Sequence, residues 1–224
     1  MLRLCSSSIT RAELLRAAGI PFFQESIDFD EDSIIAPTPK NFVYQATFGK
    51  YRVNYEKFGC TDFPLLVADT VVTAQGKILR KAKDEADARA ILATQSGCEV
   101  TIVTCMIYKT PRLELLDISS THYFFNPFDP DDVERYIANG EWRGKAGACM
   151  VEGFCKPYIR ETRGFESTAM GLCVEVLKPF LFELRIPNEI TANVMEEAQS
   201  GINMESITID ELKAEFESIP SFPI

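Results

Sequence analysis

Histidine is nearly missing from this chain: His122 stands alone among 224 residues. Without a second imidazole, Ser-His-Asp and Cys-His schemes and His-rich metal sites have little to work with. Chemistry then falls to carboxylates, lysines, arginines and hydroxyls. No apolar stretch approaches the ~20 residues that span a bilayer, and the amino end lacks the basic-then-apolar layout of a secretion signal. The expectation is a cytoplasmic protein without a membrane partner. Seven cysteines are present (Cys5, Cys60, Cys98, Cys105, Cys149, Cys155 and Cys173), with no Cys-x-x-Cys pair and no zinc spacing. That pattern predicts reduced structural thiols rather than disulfides, metal ligands or a nucleophile. Excess basic charge is absent as well: the net charge of −10 argues against a stable nucleic-acid partner. No internal repeat is found.

With 46% hydrophobic and 25% charged residues, the chain has ordinary globular composition and can bury a full core. The negative charge is uneven. From Glu183 onward nine acids stand against Arg185 and Lys213, which leaves the preceding residues close to balance and compatible with a local cationic pocket. The expected organisation is one domain over 1–182 and an acidic extension over 183–224, helical or partly disordered. A solvated tail is preferred over one that docks a partner or the cleft.

Leu65 to Val72 is the most informative stretch, because Asp69 interrupts an apolar, β-favouring run bounded by Pro64 and the turn-like Ala74-Gln75-Gly76-Lys77. A buried ionised carboxylate needs cations, a metal, donors or a solvent-filled cleft; some such acids only satisfy nearby amides. Elsewhere the pattern predicts strands at Leu2 to Cys5, Phe22 to Phe29, Lys77 to Leu79, Glu99 to Tyr108 and Arg112 to Phe125. Extended structure is expected again at Glu152-Gly153-Phe154 and at Tyr158 to Arg163. Helices are expected at Arg11 to Ala18, with Thr10 and Glu13 at capping-box spacing, and at Asn41 to Phe58. Further helices are expected from Asp84 to about Gln95, from Pro130 to Asn139 and from Ala169 to Phe182. Two acidic amphipathic segments follow near Ile190 to Gln199 and Ile209 to Ile219. Ser6-Ser7-Ser8 entering the first helix suits an anion at the helix amino end, or serves only as turn and cap. Helices alternating with strands imply an α/β fold with a mixed, twisted sheet flanked by helices.

In this order the elements resemble the Maf (septum formation inhibitor) family of nucleoside triphosphate pyrophosphatases over roughly Leu2 to Leu177. The resemblance rests on Ser6-Ser7-Ser8-Ile9-Thr10-Arg11-Ala12-Glu13-Leu14-Leu15, Asp30-Glu31, Lys50, Ala68 to Val72, Lys81 in Arg80-Lys81-Ala82-Lys83-Asp84, Lys145 to Ala148, and Gly171-Leu172. It implies two lobes around a central cleft, as in Maf and ITPase-like proteins. It also implies hydrolysis of a nucleoside triphosphate to monophosphate and diphosphate with Mg²⁺ or Mn²⁺. Asp69 matches the family's proton acceptor and Glu31 the second carboxylate, both being metal-ligand candidates. Ser6, Ser8, Arg11, Lys50, Lys81 and Lys145 are expected to hold phosphate oxygens. The implied partner is the triphosphate, with a homodimer left open.

Thr10, Arg11, Thr70 and Glu152 are the expected specificity positions; Thr70 keeps the family residue, as does Thr104, whereas Thr10 and Glu152 depart from it. Thr10 stands where the family has an arginine, Ile9 and Ala82 where it has prolines, and Glu152 where glutamine is usual. Glutamine donates and accepts, whereas ionised glutamate only accepts, so base recognition should differ. In the family these positions separate members acting on dTTP and UTP from those acting on methylated or otherwise modified nucleotides. The leading expectation is an active house-cleaning pyrophosphatase. The alternative is a weak or inactive nucleotide-binding regulator of cell division, with arrest of division as its possible output.

Overall fold

Two long apolar runs form the centre of the sheet because their branched side chains fill both faces of a covered strand. They are β3 (Leu65–Ala74) and β5 (Glu99–Lys109), paired antiparallel along their whole length from Leu65–Lys109 to Ala74–Val100. The computed structural model describes residues 1–31 and 34–185. Around the central pair lie β1 (Leu2–Leu4), β2 (Phe22–Gln24), β4 (Lys77–Leu79), β6 (Glu114–Phe125) and β7 (Ile159–Arg163). Together they make a mixed seven-stranded sheet in the order β2-β1-β3-β5-β6-β7, with β4 added to β3. β1 runs parallel to both β2 and β3; the pairings of β3, β4, β5, β6 and β7 are antiparallel.

The cleft originates in how the outer edge of β3 is covered. β1 pairs only with Leu65 and Leu66, and β4 begins only at Val72. From Val67 to Val71 this edge meets neither strand. The gap opens where β1 ends in a loop leading to a helix, the position at which open α/β sheets bind ligands.

Helices α1 (Ile9–Ala17), α2 (Pro39–Phe58), α3 (Glu85–Gln95) and α4 (Pro130–Asn139) flank the sheet, with short α5 (Glu166–Ala169) and α6 (Val174–Leu177) near the end of the described chain. Alternation along the strands sorts the packing. Odd positions of β3 and β5 (Leu65, Val67, Val71, Val103, Ile107) pack on Phe42, Val43, Ala46 and Tyr51 of α2. Even positions face the other helices in two separate clusters. Leu66, Ala68 and Met106 meet Ala12 and Leu15 of α1 and Leu177 of α6, whereas Val72, Ala74, Val100 and Ile102 meet Leu92 of α3 and Tyr136 and Ile137 of α4. Between them sits the hydroxyl pair Thr70–Thr104, in direct register. This polar break separates the two apolar clusters on that face.

Local chemistry explains the boundaries. Helix α4 spans Pro130–Asn139 as expected, with Pro130 in its first turn and Asp129 Oδ1 accepting from the amides of Asp131 at 2.9 Å and Asp132 at 3.3 Å. Asp129→Ala should lower unfolding free energy by about 1 kcal/mol in urea titrations and leave turnover unchanged, since Asp129 does not line the cleft.

Four expectations need correction. Helix α1 starts at Ile9 with Ser8, not Thr10, as its cap: Ser8 Oγ accepts from the Arg11 amide at 3.3 Å. The strand expected to reach Phe29 stops at Gln24, whose Nε2 donates to the carbonyls of Ser6 at 2.7 Å and Ser8 at 3.1 Å, after which the Ile27 amide is taken by Asn54 Oδ1 of α2 at 2.9 Å. Glu152 to Phe154 is a turn closed by the Gly153 and Cys155 amides on the Met150 carbonyl. The single closing helix is broken. Gly171 takes φ +106°, outside helical space, and Pro179 has no amide to donate, so α5 and α6 are short and a 3₁₀ segment follows over Lys178–Arg185. Met1–Leu181 form one unit by contacts. The acidic segments near Ile190 to Gln199 and Ile209 to Ile219 lie outside the described residues. No helix among the described residues is long and apolar enough to cross a membrane.

Candidate active site

The gap beside β3 opens into a cleft of about 1070 Å³, at the upper end of small-molecule sites. Every site residue expected from sequence lines it: Ser6, Ser8, Thr10 and Arg11 from the β1–α1 turn, Glu31, Lys50 of α2, Asp69 and Thr70 of β3, Lys81, Lys145 and Glu152. The fold thus brings together residues spread over more than half the chain.

Asp69 is 6% exposed. As an odd position of β3 it points to the α2 side, where Lys50 Nζ donates to its Oδ1 at 2.6 Å. The same ammonium also meets Glu31 Oε1. The loop carrying Glu31 is tied to α2 through Asn54, whose Oδ1 and Nδ2 bond the amide and carbonyl of Ile27. One cation therefore sits between two carboxylates that would otherwise repel.

Thr70, one residue on, points to the opposite face and meets Arg11. The guanidinium donates from Nε to the Gly171 carbonyl at 2.8 Å, from Nη1 to Ser6 Oγ at 2.9 Å and from Nη2 to Thr70 Oγ1 at 3.1 Å. Burial lowers the Arg11 pKa from its ordinary value, and the negative charges of Asp69 and Glu31 oppose that shift.

Lys145 and Glu152 face each other in the cleft lining, Nζ to Oε1 at 3.2 Å. The Lys-Ala-Gly-Ala element that carries Lys145 is held tightly: Ala146 pairs with Lys81 as an isolated bridge, and the Gly147 carbonyl accepts from the buried Gln95 Nε2 at 2.6 Å. Gly147 has φ +61°, and a Cβ there would lie 2.9 Å from Val72. Only glycine lets this turn lie against β3.

Counting formal charges among the described lining residues, seven cations (Arg11, Lys50, Arg80, Lys81, Lys83, Arg143, Lys145) exceed five carboxylates (Asp28, Asp30, Glu31, Asp69, Glu152). The chain is acidic overall, yet its cleft is locally cationic and suited to a polyanion. Sequence reasoning missed Arg143 as a lining residue; its signal was a cation two residues before Lys145 in a small-residue loop. Thr104, which the sequence pattern pairs with Thr70 as a retained family residue, is buried behind it, a placement that only the β3–β5 register discloses.

Of the seven cysteines, Cys5 and Cys149 line the cleft. All seven are free, and burial pushes the Cys5 thiol up to about 12 and the Cys105 thiol up to about 11. Both are therefore protonated near neutrality.

A mixed α/β sheet, a large cleft at a strand end, paired carboxylates and converging cations make a site suited to a polyanionic ligand. The family profile described as "Maf-like protein" matches residues 1–184, and the chain belongs to the Maf family. It is 53% identical over 179 residues to a nucleoside triphosphate pyrophosphatase of a Nitratiruptor species, covering 79% of this chain and 96% of that protein. A protein of the same name from Helicobacter pylori (strain ATCC 700392 / 26695) is 39% identical over 174 residues, covering 78% and 91%. Another from Campylobacter jejuni subsp. jejuni serotype O:23/36 (strain 81-176) is 38% identical over 184 residues, covering 81% and 100%.

Proposed function

We propose that the protein is a hydrolase of acid anhydrides that converts a nucleoside triphosphate to the monophosphate and diphosphate in this cleft. The observation that carries the reading is a buried carboxylate, Asp69, set in a cation-rich cavity with Lys50 at 2.6 Å and Glu31 beside the same ammonium. Water attacks the α-phosphorus, its proton passes to the Asp69 carboxylate, and the bond from the α-phosphorus to the bridging oxygen breaks as diphosphate leaves. Lys50 moves from the carboxylates onto phosphate oxygen, which frees Asp69 to accept the proton. Arg11 offers its forked donors, Lys81 and Lys145 act as point charges, and Ser6 and Ser8 shape the turn that meets the phosphates.

The donor set fits a hard divalent cation. Glu31 and Asp69 converge on one cationic point and offer only oxygen ligands. That is the pattern for Mg²⁺ or Mn²⁺ held by one or two carboxylates and completed by phosphates. Such an ion, held by Glu31 and Asp69, would supply neutralisation of the phosphate charge. The lining charges agree: the net cationic excess of the cleft with one divalent ion offsets the roughly four negative charges of a triphosphate near pH 7.

Base selection falls to Glu152, Thr10, Thr70 and Arg11. Glu152 only accepts hydrogen bonds, so it favours a base edge rich in N–H donors, including modified bases, and disfavours the carbonyls of thymine and uracil. Ordinary and modified triphosphates should be compared by diphosphate release with Mg²⁺ or Mn²⁺. Glu152→Gln is expected to move the ranking toward dTTP and UTP by about tenfold. A complete panel without diphosphate release would overturn the proposal. Tight triphosphate binding without turnover would instead favour the nucleotide-binding regulator of cell division.

A further inference from the structure

The face of the sheet that seats Arg11 carries a chain of hydroxyls whose direction can be worked out. Thr104 Oγ1 donates to the Thr168 carbonyl at 2.7 Å, and both residues are fully buried. A threonine hydroxyl has one proton, so towards Thr70, 2.9 Å away, Thr104 can only accept. Thr70 then directs its own proton at Thr104 and turns lone pairs towards Arg11 Nη2, which lies at 3.1 Å and can only donate. The chain is polarised in one direction, from Arg11 through Thr70 and Thr104 to the carbonyl of Thr168.

The other bonds complete the seat. Nε is held by the Gly171 carbonyl and Nη1 by Ser6 Oγ. At Gly171, φ is +106°, and a Cβ would lie 3.2 Å from Arg11 Nε and 3.3 Å from Thr70 Oγ1. Each guanidinium nitrogen thus has one protein acceptor, and each terminal nitrogen keeps one further N–H to offer a phosphate oxygen.

We propose that Thr104 is a positioning residue of the pyrophosphatase reaction. Fully buried and outside the cleft lining, it fixes the direction of the Thr70 hydroxyl, which in turn holds Arg11 ready for phosphate. The inference rests on the reading of Arg11 as a phosphate ligand. With valine at 104 the Thr70 proton loses its acceptor and competes with the guanidinium for the same space, so these donors are no longer pre-organised.

The test compares Thr104→Val, Thr104→Ser and Thr70→Val, each alone and with Arg11→Ala. Calorimetric titration with inorganic tripolyphosphate is run beside steady-state kinetics on the best triphosphate. Thr104→Val should weaken tripolyphosphate binding and raise KM about tenfold, with a smaller change in kcat, while Thr104→Ser stays near wild type. Thr70→Val, which leaves the Thr104–Thr168 bond in place, should give the same loss and keeps the test open should Thr104→Val not fold. In the Arg11→Ala background neither valine substitution should cost anything further. Wild-type affinity in a folded Thr70→Val or Thr104→Val protein, or a full loss persisting without Arg11, would overturn the proposal. So would absence of tripolyphosphate binding by the wild type. Failure of the wild type to release diphosphate, with these affinities behaving as expected, would remove the reaction and leave the seat.

Discussion

Asp69→Asn is expected to slow diphosphate release about 10³-fold, within the range for loss of a positioned general base, while triphosphate affinity stays level or tightens. Asparagine has the shape of aspartate and its Oδ1 can still accept from Lys50 Nζ, so the 2.6 Å contact has a neutral counterpart. What disappears is the capacity to take a proton from water, together with one charged ligand to a divalent ion, so affinity is compared in chelator. Affinity should not suffer, because removing one of five carboxylates from the lining makes the cleft more cationic towards a polyanion. Single-turnover release and calorimetric binding on the same preparation separate the two effects. Activity within tenfold of wild type would assign the proton to another group, and a parallel collapse of binding would make Asp69 an organiser of the pocket.

Removing the cation between the carboxylates should show in stability. Lys50→Met leaves Asp69 facing Glu31 without the ammonium that now touches both. Asp69 is deep in the sheet, whereas Glu31 is more than a third exposed and screened by water. The cost is therefore set below that of a fully buried broken pair, at about 2 kcal/mol. The sign of the metal response is the sharper prediction. With chelator the variant should melt below wild type, and Mg²⁺ or Mn²⁺ should recover more stability in the variant than in wild type, since the ion replaces the missing charge and binds the folded state. Melting curves with and without metal decide it. Equal metal shifts in both proteins would mean that Glu31 and Asp69 do not share an ion, and an unchanged melt in chelator would mean that the ammonium does not relieve their repulsion.

Parts of this site were legible along the chain because strong local signals surround them. The run Leu65–Ala74 is too apolar and too branched for a loop, so a carboxylate inside it stands out. Asp84 and Asp129 each precede a helix, and their side chains accept from its first amides. Gly147 stands where a Cβ would strike Val72. Errors came where a distant group competes with local preference. Ser8 displaces Thr10 as the cap within a turn also gripped by Arg11 and Gln24, and Gly171 turns its carbonyl to Arg11 rather than continuing a helix.

Residue order and composition were enough for the α/β class, the thiol state, the cationic inventory and the family, because each depends on residue type and near-neighbour spacing. Which cation meets which carboxylate came from the fold. Asp69 and Thr70 are adjacent in sequence but leave β3 on opposite faces, one to Lys50 on α2 and the other to Arg11 and Thr104. That division follows from strand alternation combined with the β3–β5 register. The cleft itself follows from β1 and β4 each covering only one end of the same edge. Such pairings join residues far apart in the chain, and their geometry is set by sheet hydrogen bonding and packing that no local segment contains.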